Sequence, residues 1–219
     1  GRQGAITIKK LLYGNVFLEK NKIKPVVIIS LEKENTDIFW NEKIQAMIIK
    51  RFLTLINYYA EKKYNNNQSL NTLVIIDEAH RLAPREKVED EVIASVKNTL
   101  KDAVRTTRKY GLGWMFISQT LSSLDKEIID MLRIMFFGFG LGLGNEFIAL
   151  RELIGGDKNA LRLYQSFKDP HSSFDINNRQ YSFMCIGPVS PLSFSGSPLF
   201  FTAFNNVEEF ISSNNIKID

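Results

Sequence analysis

Two adjacent carboxylates, Asp77 and Glu78, close the aliphatic run Leu73–Ile76 and are the residues of this sequence best suited to chemistry. A short apolar run predicts a buried strand, and ligands bind at the carboxyl ends of strands in open α/β sheets. In nucleotide hydrolases the first such acid holds Mg²⁺, and the second orients or deprotonates the attacking water. The pattern therefore assigns metal binding to Asp77 and base catalysis to Glu78. A solvated acidic turn is the alternative.

A second polar pair, Ser118 and Gln119, follows the next strand-like run, which begins at Trp114. A polar residue at the tip of the strand that follows the acidic strand is well placed to sense the γ-phosphate of a bound nucleotide. We therefore expect Ser118 to contact the nucleotide and Gln119 to take part in catalysis. Capping of a strand-to-helix turn is the simpler interpretation of the same residues.

Two arginines, Arg105 and Arg108, lie three residues apart near the end of the predicted helix at 91–109, which places them on one helix face. An arginine that projects from a subunit edge can stabilise the transition state in a neighbour's site through its bidentate charge. Either residue could equally be part of a solvated basic helix end that complements the helix dipole.

These residues must be positioned by an α/β scaffold, because apolar strands alternate with amphipathic helices along the chain. The pattern predicts a mostly parallel sheet flanked by helices, and residues 1–219 show no linker or repeat, so we expect a single α/β domain. The predicted strands are Pro25–Leu31, Leu73–Ile76, Trp114–Ser118, Ile134–Leu141, Tyr181–Ile186 and Leu199–Phe204. The predicted helices are 40–63, 91–109, 125–132 (capped by Ser122 or Ser123), 145–153 and one from Val207.

The composition narrows the possible functions of the chain. It has 219 residues, a formal charge of +4, two histidines and one cysteine. The spacing of His80, His171 and Cys185 does not suit zinc, and we expect His80 to pack structurally and Cys185 to lie in the core. No signal peptide or membrane-spanning run is evident, so we expect a cytoplasmic protein. The mild basic excess is compatible with a nucleic-acid partner.

A series of motifs in this order resembles the HerA/FtsK family of hexameric DNA-pumping ATPases, and most of all its HerA branch and the related conjugation coupling proteins. The resemblance covers about Lys24 to Phe204. It rests on Pro-Val-Val-Ile-Ile-Ser-Leu, Leu-Val-Ile-Ile-Asp-Glu-Ala-His-Arg-Leu, Thr-Arg-Lys-Tyr-Gly-Leu-Gly and Phe-Ile-Ser-Gln-Thr. The family often has a glutamate just before its Arg-Lys-aromatic-Gly run, and Thr106-Thr107 depart from that pattern.

The resemblance implies a RecA-like (ASCE) P-loop NTPase core that uses ATP and Mg²⁺. It makes Asp77 and Glu78 the Walker B acids, Gln119 the sensor, and Arg105 or Arg108 the arginine finger. It also implies a homohexamer that acts on double-stranded DNA, with a nuclease or a conjugation protein as a further partner.

One element of that family is missing from this sequence. No Gly-x-x-x-x-Gly-Lys-Ser/Thr motif occurs, and Gly155-Gly-Asp-Lys158 lacks its core and follows a helical pattern. The family carries this phosphate-binding loop upstream, and the chain opens on Gly-Arg-Gln-Gly without Met. We therefore expect the C-terminal part of a RecA-like domain that lacks its N-terminal phosphate-loop portion and is inactive alone.

Three functions fit these observations. The leading one is part of an ATP-dependent DNA translocase or helicase motor. A second is a fragment of a DEAH-type superfamily-two helicase, suggested by Asp77-Glu-Ala-His80, although Ser118-Gln-Thr120 departs from that superfamily's Ser-Ala-Thr motif. A third is a degenerate ATPase-like module that binds DNA or protein as a ring subunit.

Overall fold

The computed structural model describes residues 26–31, 41–175, 178–191 and 197–216. The chain divides into two compact units. The first unit comprises Gly1–Gln119 and Ser123–Met131, and the second comprises Thr120–Ser122 and Leu132–Asp219. The expectation of a single domain over residues 1–219 stays a prediction.

The first unit is a small parallel sheet flanked by helices. Strands β1 (Thr72–Ile76) and β2 (Leu112–Phe116) pair in parallel, with Thr72 opposite Leu112 and Ile76 opposite Phe116. Its helices are α1 (Glu42–Asn65), α2 (Glu91–Thr106) and α3 (Lys126–Met131), with short 3-10 helices at Ala79–Arg81 and Thr107–Tyr110. The predicted strands at 73–76 and 114–118 and the first three predicted helices are confirmed, with shifted ends.

Helix α1 forms the core of this unit because its apolar residues recur at helical spacing. Asn41 caps its start, accepting the backbone N–H of Ile44 at 2.9 Å. On its buried side, Ile56 and Ala60 pack with Leu70 and Leu112. The same cluster includes side chains from one face of each strand, so α1 covers that face of the β1–β2 pair.

The opposite face of the β1–β2 pair is exposed, contrary to the prediction of strands covered on both faces. Leu73 and Ile75 are 58% and 56% exposed, and Met115 across from Ile75 is 42% exposed. Side chains alternate between faces along a strand. An apolar run therefore shows that both faces suit burial, but it does not show that an element covers each of them.

The second unit contains an antiparallel sheet, which corrects the prediction that the sheet is mostly parallel. Strand β4 (Tyr181–Ile186) lies between β3 (Met135–Phe137) and β5 (Leu199–Ala203). Its helices are α4 (Gly144–Leu153), α5 (Lys158–Gln165) and α6 (Val207–Ser213). A 3-10 helix spans Pro170–Ser172. Apolar composition predicts strands but does not give their direction, and three strands of this unit pair antiparallel.

The core of the second unit lies between this sheet and two of its helices. Phe137 and Met184 of the sheet pack with Leu150 of α4 and Tyr164 of α5. Cys185 is 1% exposed, and burial raises the pKa of its thiol. The expectation that Cys185 lies in the core is confirmed.

Two local predictions were wrong, and one helix was not predicted. Residues 26–31 form no strand, and Val26 and Ile28 are 93% and 88% exposed; a strand needs a neighbouring backbone as well as an apolar sequence. Helix α3 is capped by Asp125 rather than Ser122 or Ser123, because Asp125 Oδ1 accepts the N–H of Glu127 at 3.0 Å. Helix α5 was not predicted, although Asp157 caps it.

No helix among the described residues combines the length and apolarity needed to cross a membrane.

Candidate functional site

The tips of β1 and β2 remain joined by backbone hydrogen bonds beyond the strands themselves. The N–H of Ile117 donates to the carbonyl of Ile76, and the N–H of Ala79 donates to the carbonyl of Ile117, each at 2.9 Å. These bonds hold the segment after β1 against the segment after β2. The carboxyl ends of both strands therefore form one edge, and the polar residues of the two motifs meet there.

Glu78 occupies the left-handed region of backbone conformation, with φ 48° and ψ 44°. This conformation costs a residue with a Cβ about 1–2 kcal/mol. Asp77 Oδ1 accepts the backbone N–H of Glu78 at 2.9 Å, and the 3-10 helix Ala79–Arg81 starts immediately afterwards. Strained residues of this kind cluster at functional sites, and here the strain turns the Glu78 side chain towards the tip of β2.

Glu78 and Gln119 are in direct contact. Gln119 Nε2 donates to Glu78 Oε1 at 2.9 Å. Their sequence positions are far apart, and the parallel register of β1 and β2 brings them together. The two residues assigned to water activation and γ-phosphate sensing are therefore neighbours in the structure.

His80 also belongs to this cluster, whereas the sequence favoured a structural packing role over a place beside the acids. Its Nδ1 lies 3.0 Å from Ser118 Oγ and 3.3 Å from Glu78 Oε2. The His80 side chain is 25% exposed, so it is not a core histidine. The signals in the sequence were its place in Asp77-Glu-Ala-His80 and its position two residues after Glu78. That spacing brings the side chains together only because the backbone turns at Glu78.

Asp77 offers a carboxylate oxygen that suits a hydrated cation. Its Oδ1 is occupied by the Glu78 N–H, whereas its Oδ2 has no hydrogen bond to any described residue, and the residue is exposed. Mg²⁺ is commonly held by one or two carboxylates together with waters and substrate phosphates. In the described part of the chain no cluster of three or more acidic, His or Cys side chains could hold a metal by itself. A cation bound at Asp77 would therefore take its other ligands from waters or from a substrate.

The two candidate finger arginines have different surroundings. Helix α2 ends at Thr106, so Arg105 lies in its last turn and Arg108 lies in the 3-10 helix that follows. The backbone stays helical between them, and the expectation that both share one helix face stays a prediction. Arg105 pairs with Glu127 at 3.4 Å and with Asp102 at 3.8 Å. Arg108 is exposed and makes no ion pair with a described residue, and neither arginine is hydrogen bonded to Asp77 or Glu78 within the described ranges.

A buried carboxylate, Asp125, anchors the start of α3 close to Arg105's partner Glu127. Lys97 lies 2.8 Å from its Oδ2, and Lys101 lies 3.9 Å from its Oδ1. Burial raises the pKa of Asp125, but the hydrogen bond and charge of Lys97, together with Lys101, outweigh it and hold the pKa below its usual value. This network fixes α2 against α3 and is structural.

No protein-family model and no curated protein matches this chain. Among solved structures, it is similar to the genome packaging NTPase B204 from Sulfolobus turreted icosahedral virus 2 in complex with AMPPCP, at 14% identity and a TM-score of 0.47. That match covers 71% of this chain and 60% of the viral chain. The complex of the same NTPase with ATP-gammaS matches at 16% identity and a TM-score of 0.40, covering 59% and 51%.

A structural neighbour of the chain is thus a viral genome packaging NTPase. The chain spans about 60% of the length of that neighbour, in its complexes with AMPPCP and with AMP alike. At this distance the neighbour assigns neither an activity nor a role to any residue of the chain.

Proposed function

We propose that the tip of the β1–β2 pair is the acidic half of an ATPase site, in a motor of the HerA/FtsK type. The observation that carries the proposal is the 2.9 Å contact between Gln119 Nε2 and Glu78 Oε1. It joins one residue from each of two separate motifs at one sheet edge, where ligands bind in α/β folds. A chance acidic turn would not require the next strand to place an amide donor on its second carboxylate.

In this proposal Asp77 holds Mg²⁺, and Glu78 accepts the proton of the attacking water. Bound Mg²⁺ would neutralise phosphate charge at the site. Glu78 Oε1 is engaged by Gln119, and a carboxylate has about four lone-pair positions, so further positions remain for a water. Gln119 and Ser118 would then report the presence of the γ-phosphate to Glu78.

The phosphate-binding loop would come from residues outside these 219, since no Walker A motif occurs in the sequence. The exposed apolar face formed by Leu73, Ile75 and Met115 supports this part of the proposal. Burying such a face against another layer stabilises a fold by about 25 cal/mol for each Å² of apolar surface removed from water. A RecA-like core (ASCE class) would supply that layer.

Arg108 is the better candidate for the arginine finger. A finger must extend from its own subunit to a neighbour's phosphate, so a free guanidinium is required. Arg105 is paired with Glu127 and Asp102, whereas Arg108 has no ion pair with a described residue. A homohexamer acting on double-stranded DNA, with a nuclease or conjugation protein as partner, completes the proposal.

The test is Glu78→Gln in the full-length protein that contains this chain. Glutamine keeps the shape of the side chain and can still contact Gln119, but it cannot accept a proton. We expect ATP binding to persist, measured by isothermal titration with Mg·ATP, while turnover falls at least ~100-fold. The matched control is Glu86→Gln, which changes an exposed acid in the following loop and should leave turnover intact.

A second function is a degenerate ATPase-like module that binds DNA or protein within a ring; a broken phosphate loop in the full-length protein would support it, and an intact one would support the motor. The degenerate module predicts no Mg·ATP binding by the full-length protein and no effect of Glu78→Gln on partner binding. Titration of the unmodified full-length protein with Mg·ATP separates the two functions.

A further inference from the structure

We propose that His80 is a positioning residue that fixes the orientation of the Glu78 carboxylate. This inference rests on the proposed ATPase function. Its basis is geometric: His80 Nδ1 lies 3.3 Å from Glu78 Oε2, while Gln119 Nε2 lies 2.9 Å from the other oxygen, Oε1. The two oxygens of one carboxylate are thus contacted by two side chains from different strand tips.

Contacts on both oxygens of the Glu78 carboxylate restrict its rotation, which a contact on one oxygen does not. The terminal torsion of a glutamate is broad and roughly two-fold, so a carboxylate held through a single oxygen still rotates. A second polar contact, on the other oxygen, restricts that rotation and fixes the plane of the group. The remaining lone pairs then point in set directions, which a general base needs, since misplacement by about 1 Å can cost ~100-fold in rate.

The chemistry of the neighbours sets the position of the His80 proton. An ionised carboxylate only accepts hydrogen bonds, whereas the hydroxyl of Ser118 both donates and accepts. A proton on Nδ1 therefore suits both neighbours, because it can hydrogen bond to Ser118 Oγ at 3.0 Å while its partial positive charge lies beside Glu78 Oε2, 3.3 Å from Nδ1. A proton only on Nε2 would set the Nδ1 lone pair against the carboxylate. The tip favours the Nδ1–H form of His80.

Ser118 gives His80 its own orientation. The 3.0 Å contact between Ser118 Oγ and His80 Nδ1 ties the ring to the tip of β2. Ala79 and Ile117, which directly precede His80 and Ser118, are joined by a backbone hydrogen bond: the Ala79 N–H donates to the Ile117 carbonyl at 2.9 Å. Glu78 is therefore linked to β2 both through Gln119 and through His80 and Ser118.

The experiment compares two substitutions of His80 in the full-length protein, with steady-state ATPase kinetics as the readout. His80→Asn keeps an N–H donor near the Nδ1 position, and His80→Phe keeps the ring but has no donor. We expect His80→Phe to lower kcat about 10- to 50-fold with KM changed less than about 2-fold, and His80→Asn to stay within about 3-fold of the unmodified protein. His80→Leu, a second donor-free side chain, should behave like His80→Phe.

A packing role predicts the opposite order, with His80→Phe close to the unmodified protein and His80→Asn impaired, and that result would overturn the proposal. Full activity in all three variants, or an equal loss in His80→Asn and His80→Phe, would overturn it as well. Thermal melting of each variant verifies folding, and the two donor-free variants keep the test open if one fails to fold. Glu78→Gln is assayed alongside. If that variant keeps its turnover, Glu78 is not the base and the proposed half-site is rejected. If only the order of the His80 variants fails, the positioning role alone is rejected.

Discussion

The two units of the molecule use polar side chains in different ways. At the strand tips of the first unit, polar side chains contact one another: Gln119 and His80 both reach Glu78, and His80 also meets Ser118. These groups are partly exposed, with the Glu78 side chain 33% accessible. A ligand can therefore replace one of these contacts without unfolding the unit.

In the second unit, the comparable side chains bind backbone. The Tyr164 hydroxyl donates to the Gly138 carbonyl and accepts the Leu141 N–H at 3.0 Å, and burial raises its pKa. Glu146 accepts the N–H of Leu121 at 2.7 Å and that of Ser122 at 3.1 Å. Such contacts fix loops. The polar side chains named in the first unit thus meet one another at an accessible tip, whereas those named in the second unit hold loops in place.

The largest expected effect separates the two arginines of the first unit. Arg108→Ala should lower ATP turnover of the full-length protein by ~1000-fold or more, because an arginine finger contributes about that factor. Arg105→Ala is the matched control and should reduce turnover less than about 5-fold, since Arg105 forms exposed pairs with Glu127 and Asp102 that contribute about 0–1 kcal/mol. Steady-state ATP hydrolysis is measured for both variants. Equal losses of turnover would reject Arg108 as the arginine finger.

In the second unit, substitution of a core residue should lower the free energy of unfolding. Leu150 is fully buried in the cluster of Phe137, Tyr164 and Met184. Leu150→Ala leaves a cavity there and should lower the free energy of unfolding by about 2–5 kcal/mol. Exposed Leu143→Ala, at 84% accessibility, is the control and should change it by less than about 0.5 kcal/mol. Urea denaturation measures both, and an unaltered midpoint for Leu150→Ala would contradict the described core.

A smaller effect is expected in the first unit, where Asp125 contributes stability to the folded protein that is lost at low pH. The folded-state pKa of Asp125 is below its usual value near 3.8, so the ionised form stabilises the folded protein. That contribution is fully present above the unfolded-state pKa of about 3.9 and is lost as the pH falls through the lower folded-state pKa. Asp125→Asn should therefore flatten the fall in melting temperature between about pH 5 and pH 2. A variant with the same acid dependence as the unmodified protein would show that Asp125 has no such role.

The sequence predicted those helices and strands in which apolar residues form a continuous run or recur at helical spacing. The apolar runs at Thr72–Ile76 and Tyr181–Ile186 and the helical spacing of Glu42–Asn65 each produced an element at the expected place. Helix Lys158–Gln165 was missed, since it has only eight residues and follows two glycines. The strand predicted at residues 26–31 was wrong because an apolar sequence indicates a tendency to be buried but does not supply a neighbouring strand to pair with.

The candidate site was predictable in its residues but not in its contacts. Asp77, Glu78, Ser118 and Gln119 stand out because each follows a strand, and parallel register then places them at one edge. The contact between His80 and Glu78 depends on the left-handed backbone at Glu78, for which the sequence has no glycine to signal it. Helix α2 ends three residues before the predicted Lys109, so Arg108, which has no ion pair with a described residue, lies in the 3-10 helix that follows.

The most direct test of the central claim is a comparison of Mg·ATP binding and turnover between the unmodified full-length protein and Glu78→Gln. If the tip of the β1–β2 pair is an ATPase half-site, the variant binds Mg·ATP with unchanged affinity and loses turnover by at least ~100-fold. Undiminished turnover in Glu78→Gln, with Glu86→Gln also active, would contradict the account.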